Sequence, residues 1–165
     1  DFTGVPIDMN RHPITPEGLK KLQEELKRLR SSERPRVIEA ISEARGHGDI
    51  SENAEYDAAK EQQAFLEKKI RELEHRIANS NVVDPSEVGT DKVVFGVQVT
   101  VQDLESGEES SYQIVGADEA DVSASRISVT SPVARALIGK KVGDIVQVQV
   151  PKGLLELEVL DISIP

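Results

Sequence analysis

Cysteine and tryptophan are absent from these 165 residues, and the only aromatics are three phenylalanines and two tyrosines. Without cysteine there is no disulfide framework and no thiolate metal site, and a reducing compartment is expected. So few aromatics, with 38% hydrophobic residues, argue against one large globular core. They suit helices that bury a narrow seam beside one small sheet. No apolar run approaches the ~20 residues of a membrane span, and no charged-then-apolar leader opens the chain. A soluble, cytoplasmic protein without membrane contact is expected. Basic excess is missing too. The net charge is −10, which repels a phosphate backbone and argues against strong independent nucleic-acid binding. Residues 1–84 hold 14 basic and 17 acidic side chains, whereas residues 85–165 hold 6 and 13. Any nucleic-acid contact is therefore expected in the first half, and the second half suits a basic protein surface. No GxGxxG, P-loop or HExxH pattern occurs.

What is present is heptad periodicity, in two segments. Residues 1–13 read as an irregular extension, its first eight residues without periodicity. Thr15-Pro16-Glu17 then opens a helix: a capping hydroxyl, a proline at the first helical position and an acid at the positive end of the dipole. Leu19, Leu22, Leu26 and Leu29 follow at spacings of three and four, the seam of a coiled coil. The seam falters through Ser31–Arg36, where Pro35 predicts a bend, and resumes at Val37 or Ile38, then Ile41 and Ala44. A helix from Pro16 to Arg45 would be roughly 45 Å long at ~1.5 Å per residue. A second helix is expected from Glu52 to Asn79, with Ala59, Gln63, Leu66, Ile70, Leu73 and Ile77 on its seam. Small residues near the intervening turn (Ala40, Ala44, Ala54, Ala58, Ala59) and large ones far from it pair sensibly only if the helices are antiparallel. Glu67–Arg71 and Glu72–Arg76 are expected as same-face ion pairs. The antiparallel coiled coil is assigned to residues 14–83.

Asp84-Pro85-Ser86 reads as a linker, and beyond it the period changes to two. Val93, Phe95, Val97, Val99 and Val101 alternate through a strand, Glu105-Ser106-Gly107 turns, and Tyr112–Val115 runs back. Ile127–Val129, Ile145–Val150 and Leu155–Ile164 complete a small antiparallel sheet. Ser131-Pro132 caps one short helix that Gly139 stops. Residues 84–165 are therefore an α+β unit, and the chain as a whole is of the α+β class.

The stretch between the helices carries the chemistry. Asp49 and Glu52 stand three apart at a helix start, so their carboxylates share one side of the hairpin tip. Such a pair suits Mg²⁺ only if another molecule completes the shell, as in two-metal phosphodiester cleavage. The same Asp-x-x-Glu pattern is a capping box, which is the commoner use of it, and the two readings can coexist. Arg45 and Lys60, one on each helix, fit a surface charge pair or a small basic spot for RNA phosphates. His47 reads as a loop residue. Tyr56 suits packing on the hairpin or stacking on a base.

The run Glu43-Ala44-Arg45-Gly46-His47-Gly48-Asp49-Ile50-Ser51-Glu52-Asn53-Ala54-Glu55-Tyr56, followed by Ala58–Gln63, resembles the bacterial Gre transcript cleavage factors, GreA type. The resemblance continues through Ile114–Asp121 and Ile127–Lys140 and covers essentially Ile14 to Ile164. It implies that the C-terminal unit has an FKBP-like fold and docks on bacterial RNA polymerase at the rim of the secondary channel. The coiled coil would enter the channel toward the extruded 3′ end of backtracked RNA. It implies an accessory factor rather than an enzyme in its own right, one that stimulates the polymerase's own endonucleolytic cleavage and rescues arrested complexes. Asp49 and Glu52 would help hold a Mg²⁺ shared with the polymerase active site, none being tightly bound by the free protein. Arg45 and Lys60 would contact RNA, and Asp118, Glu119, Asp121, Ser131, Pro132 and Arg135 would lie on the docking face. A monomer is expected. The alternative within the same resemblance is a channel-binding regulator that inhibits or modulates transcription without promoting cleavage. Gly46 stands where these factors often carry a larger, charged residue, and is expected to loosen the tip at a cost of about 1 kcal/mol of helix preference. An FKBP-like fold also raises prolyl isomerase activity, but residues 84–165 offer only Phe95 and Tyr112 as aromatic walls, so isomerase activity is not expected.

Overall fold

In a computed structural model of the chain, residues 12–46 and 50–165 are described, with 50–53 described by their backbone alone. They form two compact units. One is Leu19–Asn79; the other joins the residues up to Gly18 with Ser80–Pro165.

The first unit is a helical hairpin. Helix α1 (Pro16–Arg28) passes through a π turn (Leu29–Glu33) directly into α2 (Arg34–Arg45), and α3 (Ile50–Ala78) returns. Leu26, Leu29, Val37, Leu66, Ile70 and Leu73 are buried in one cluster, with Leu22, Ile41 and Ile77 half-buried against it. Along α3 the seam keeps strict heptad spacing from Ala59 through Leu66, Ile70 and Leu73. The first arm does not. Continued regularly from Leu22, Leu26 and Leu29, the heptad would turn Arg36, Ala40 and Glu43 inward. The inward residues are instead Val37, Ile41 and Ala44, each one position later. The π turn accounts for the extra residue: the Arg34 N–H reaches Leu29 O, five positions back. Pro35 has no N–H to give and its ring would crowd the preceding turn, so the widened turn ahead of it absorbs one residue and restores the phase. Val37 is buried and Ile38 is 52% exposed, which settles which of the two resumes the seam.

Ala44 and Ala59 are buried as the small-residue pattern predicted, whereas Ala54 and Ala58 face solvent. The antiparallel direction shows in the flanking ion pairs. Arg34 donates through Nε and Nη2 to the two carboxylate oxygens of Glu67 at 2.8 and 2.9 Å, and Arg30 Nη2 lies 2.6 Å from Glu74 Oε1. Glu67, expected to pair with Arg71 on its own helix, is held across the hairpin instead.

The second unit is built on a five-stranded sheet of order β5-β4-β3-β7-β6. These strands are β3 (Gln98–Asp103), β4 (Glu109–Val115), β5 (Arg126–Ser128), β6 (Ile145–Val150) and β7 (Gly153–Ser163). All neighbours are antiparallel except β4 and β5, which run parallel. The wholly antiparallel sheet expected from alternation is thus corrected to a mixed one. The reason lies in the connection, where two 3₁₀ turns, Ala117–Glu119 and Val122–Ala124, replace a tight hairpin, so the chain re-enters the sheet in its original direction. Val97, Val99, Val101, Ile114, Val159 and Leu137 of the short helix α5 (Pro132–Leu137) are buried at its centre. Val93 and Phe95 are buried too, but precede the strand they were assigned to. Val93 exchanges backbone hydrogen bonds of 2.8 Å with Gly139 and Lys140.

Three further elements were not anticipated. Strands β1 (His12–Ile14) and β2 (Ser80–Val82) pair in parallel, His12 opposite Ser80, and Asp84 caps a one-turn helix, α4 (Pro85–Val88), by accepting from Ser86 N at 3.0 Å. The irregular stretch and the linker thus contain ordered segments.

Two outcomes follow for the hairpin. Deleting Ser32 removes the extra residue but leaves Val37, Ile41 and Ala44 in phase with Leu29, so thermal unfolding followed by circular dichroism should change little. Inserting one alanine after Ser32 turns those three side chains ~100° off the seam and should cost about 2 kcal/mol or more. Glu67 titrates below its usual value of 4.5 because of the hydrogen bonds from Arg34. A lowered folded-state pKa stabilises above the unfolded value and is lost as pH falls through the folded one. The stability difference between wild type and Glu67→Gln, measured by urea unfolding, should therefore be present at neutral pH and fade below pH 4.5.

Candidate functional site

Toward the tip of the hairpin the buried seam residues are the small Ala44 and Ala59. Helix α2 ends at Arg45, and Gly46 caps it in an ordinary right-handed conformation (φ −70°, ψ −14°), its N–H donating to Ser42 O and Glu43 O. A Cβ at Gly46 would lie 3.4 Å from Glu43 O, so glycine is not demanded there by sterics. Helix α3 begins at Ile50, two residues earlier than expected, which makes Glu52 its third residue. Asp49 and His47 lie outside the described residues, as does the side chain of Glu52. The acid pair is thus located along the chain without its geometry.

The cations beside it are described. Arg45 and Lys60 are both exposed. The Arg45 guanidinium carbon sits 5.8 Å from the centroid of the half-buried Tyr56 ring on the facing helix, within range of a cation–π attraction of about 0.5–1 kcal/mol at an exposed site. Lys60 is one helical turn beyond Tyr56, so the two lie on one face of α3. Its ammonium donates to Gln63 Oε1 at 3.0 Å. The structure therefore brings Arg45 and Tyr56 together and sets Lys60 alongside. Nothing in their spacing marks the first pairing, since 45 and 56 meet only when the hairpin closes.

No group of three or more metal-ligating side chains occurs among the described residues. Two carboxylates at a helix start would leave most of an Mg²⁺ shell to water or to another molecule.

In the sheet unit, the residues assigned to docking separate by orientation. Asp118 and Arg135 are exposed. Asp121 caps the second 3₁₀ turn, accepting from Ser123 Oγ at 2.6 Å and Ser123 N at 3.1 Å. The Ser123 hydroxyl, chiefly, holds its carboxyl below the ordinary aspartate range. Ser131 Oγ caps α5 by accepting from Ala134 N at 3.3 Å, with Pro132 at the first helical position. Glu119 differs: its side chain is only 6% exposed. It accepts from Thr15 N at 3.2 Å, from Gly116 N at 2.9 Å and from the Thr15 hydroxyl, and Arg126 Nη2 lies 3.6 Å away. It is turned inward, and no surface contact can be assigned to it directly. Thr15, Gly18, Gly116 and Arg126, the residues around it, carry no signal in the sequence that joins positions about 100 apart.

A helical hairpin with exposed cations near one end of its arms, continuous in sequence with a small mixed sheet, defines a two-part factor, and two family profiles share the chain between them. Residues 12–82 match the profile "Transcription elongation factor, N-terminal", and residues 88–164 match "Transcription elongation factor, GreA/GreB, C-term". The chain belongs to the GreA/GreB family of transcription elongation factors. It is 53% identical over 155 residues to transcription elongation factor GreA of Alkalilimnicola ehrlichii, covering 93% of this chain and 98% of that one. It is 54% identical over 155 residues to that of Methylococcus capsulatus, with the same coverage. Among solved structures, the GreA factor homolog 1 of Thermus thermophilus is similar over 92% of this chain and 98% of that one, at 29% identity and a TM-score of 0.42. No helix among the described residues is long and apolar enough to cross a membrane.

Because Gly46 occupies ordinary helical space, Gly46→Ala should stabilise the hairpin by about 0.4–1 kcal/mol through the unfolded state, read as a raised urea midpoint with an unchanged slope.

Proposed function

We propose that this elongation factor works in the cytoplasm on bacterial RNA polymerase. Its hairpin tip enters the secondary channel and stimulates the polymerase's own cleavage of backtracked RNA. Asp49 and Glu52 supply two carboxylates to an Mg²⁺ that the polymerase otherwise holds. Bound there, the ion offers charge stabilisation and an activated water for phosphodiester hydrolysis. The chain's own part is to carry two acids on a narrow support and to hold RNA beside them. Arg45 and Lys60 face the phosphates of the extruded 3′ segment, and Tyr56 restrains the Arg45 guanidinium. Asp118, Asp121, Arg135 and the capped start of α5 at Ser131-Pro132 form the face that meets the polymerase. Its acidic side chains suit a basic surface.

The observation that carries this reading is the exposed Arg45 over Tyr56 with the exposed Lys60 alongside, within four residues of Asp49 and eight of Glu52 in the chain. Family membership over nearly the whole chain supports the assignment to elongation.

The test is cleavage of a labelled transcript in a stalled polymerase complex, with Mg²⁺ varied. Asp49→Asn and Glu52→Gln should each lower stimulated cleavage by about 10- to 100-fold with polymerase binding unchanged. If cleavage survives both substitutions while the melting temperature falls, the acids serve only as helix caps. If the wild type binds and slows transcription without cleavage, the factor is the inhibiting regulator instead.

A further inference from the structure

The most heavily engaged buried acid in the described residues serves neither the tip nor an outer face. Glu119 receives three hydrogen bonds, two of them from Thr15, although 104 residues separate the pair. Thr15 is the cap of α1, since its hydroxyl oxygen accepts from Gly18 N at 3.0 Å. One carboxylate thus binds the residue that starts the first helix of the hairpin.

The surroundings are shaped for it. A Cβ at Gly18 would overlap Glu119 Oε1, and a Cβ at Gly116 would come within 2.6 Å of Pro13 O and 3.0 Å of Glu119 Oε2. Both glycines are therefore needed for the carboxylate to reach Thr15. Glycine inside the first turn of a helix otherwise costs stability relative to alanine, so its place here has a steric reason. Arg126 completes the cluster. Its Nη2 lies 3.6 Å from Glu119 Oε1, while its Nε is buried without a hydrogen-bond partner. An orphaned buried donor is costly, and the nearby carboxylate offsets that cost.

We propose that Glu119 is a positioning residue: within the sheet unit, to which the residues up to Gly18 belong, it holds Thr15 and the capped first turn of α1, and this anchored start of the first arm is needed for full cleavage, without Glu119 touching polymerase or RNA. For its functional consequence this rests on the transcript-cleavage role proposed above; the clamp itself does not.

The experiment combines Glu119→Ala, Gly18→Ala and the double variant in the full chain. Amide exchange is read at Thr15, Gly18 and Gly116, alongside the half-saturating concentration and the maximal rate of cleavage with stalled polymerase. In Glu119→Ala the three amides should exchange at least about tenfold faster. The half-saturating concentration should stay within about twofold, and the maximal rate should fall about 10- to 100-fold, the scale of a small misplacement far from the chemistry. Gly18→Ala, normally helix-stabilising, should reproduce these losses by displacing the carboxylate. Added to Glu119→Ala it should cause no further loss, because the overlap has gone. The proposal is overturned if exchange is unchanged, if the two single effects add, or if the half-saturating concentration rises in step with the lost rate, which would make Glu119 a docking residue. Should wild type show no cleavage at all, the proposed function fails and the exchange cycle alone decides the clamp.

Discussion

The narrow apolar seam between two antiparallel helical arms is the constraint that the candidate site depends on. It is built from few side chains, mostly leucine and isoleucine away from the turn and alanine close to it. Burying each large one is worth about 1.5–3 kcal/mol, so a seam out of phase for even two turns would forfeit much of what holds the hairpin closed. The π turn before Pro35 keeps the phase. Without it the same sequence would turn Arg36 and Glu43 inward, and the cost of desolvating them would fall next to the tip. A local irregularity is thus what lets the rest be regular.

Closure of the seam also organises charge. The flanks carry bidentate and single ion pairs across the hairpin, Arg34 with Glu67 and Arg30 with Glu74. Exposed pairs of this kind contribute little stability, but their geometry specifies which way the arms run. Toward the turn this pairing gives way to Arg45 over a tyrosine ring and Lys60 on a glutamine amide. Neither contact neutralises its cation. Along the shaft, then, arginines of the first arm meet carboxylates of the second across the hairpin, and toward its end the described cations rest on uncharged partners.

Much of this was legible from residue order. Heptad spacing located both arms, alternation located the strands, and Thr15 and Ser131 announced their helices because capping is a local affair of three or four residues. Three features were not legible, each for its own reason. The π turn shows in the sequence only as a faltering seam, which a kink would also produce. The parallel placement of β5 depends on the path of the connection from Ala117 to Ala124, whose residues mark no direction of re-entry. The resemblance places Glu119 on the docking face, together with Asp118 and Asp121. What turns it inward is Thr15, and no periodicity links the two. At the tip, the residue types and the acidic motif were readable, and the contact of Arg45 with Tyr56 became visible only on closure.

The strand pair at the base of the hairpin has a consequence for how such a molecule can vary. His12–Ile14 and Ser80–Val82 lie side by side, so the chain departs for the helical arms and comes back through adjacent doors. Everything between them is topologically a detachable loop. Lengthening each arm by one heptad would extend that loop by about 10.5 Å and leave the pairing of the two strands untouched. Descendants of this architecture can therefore adjust how far the acids are carried, in whole-heptad increments, without redesigning the sheet on which the chain begins and ends its excursion.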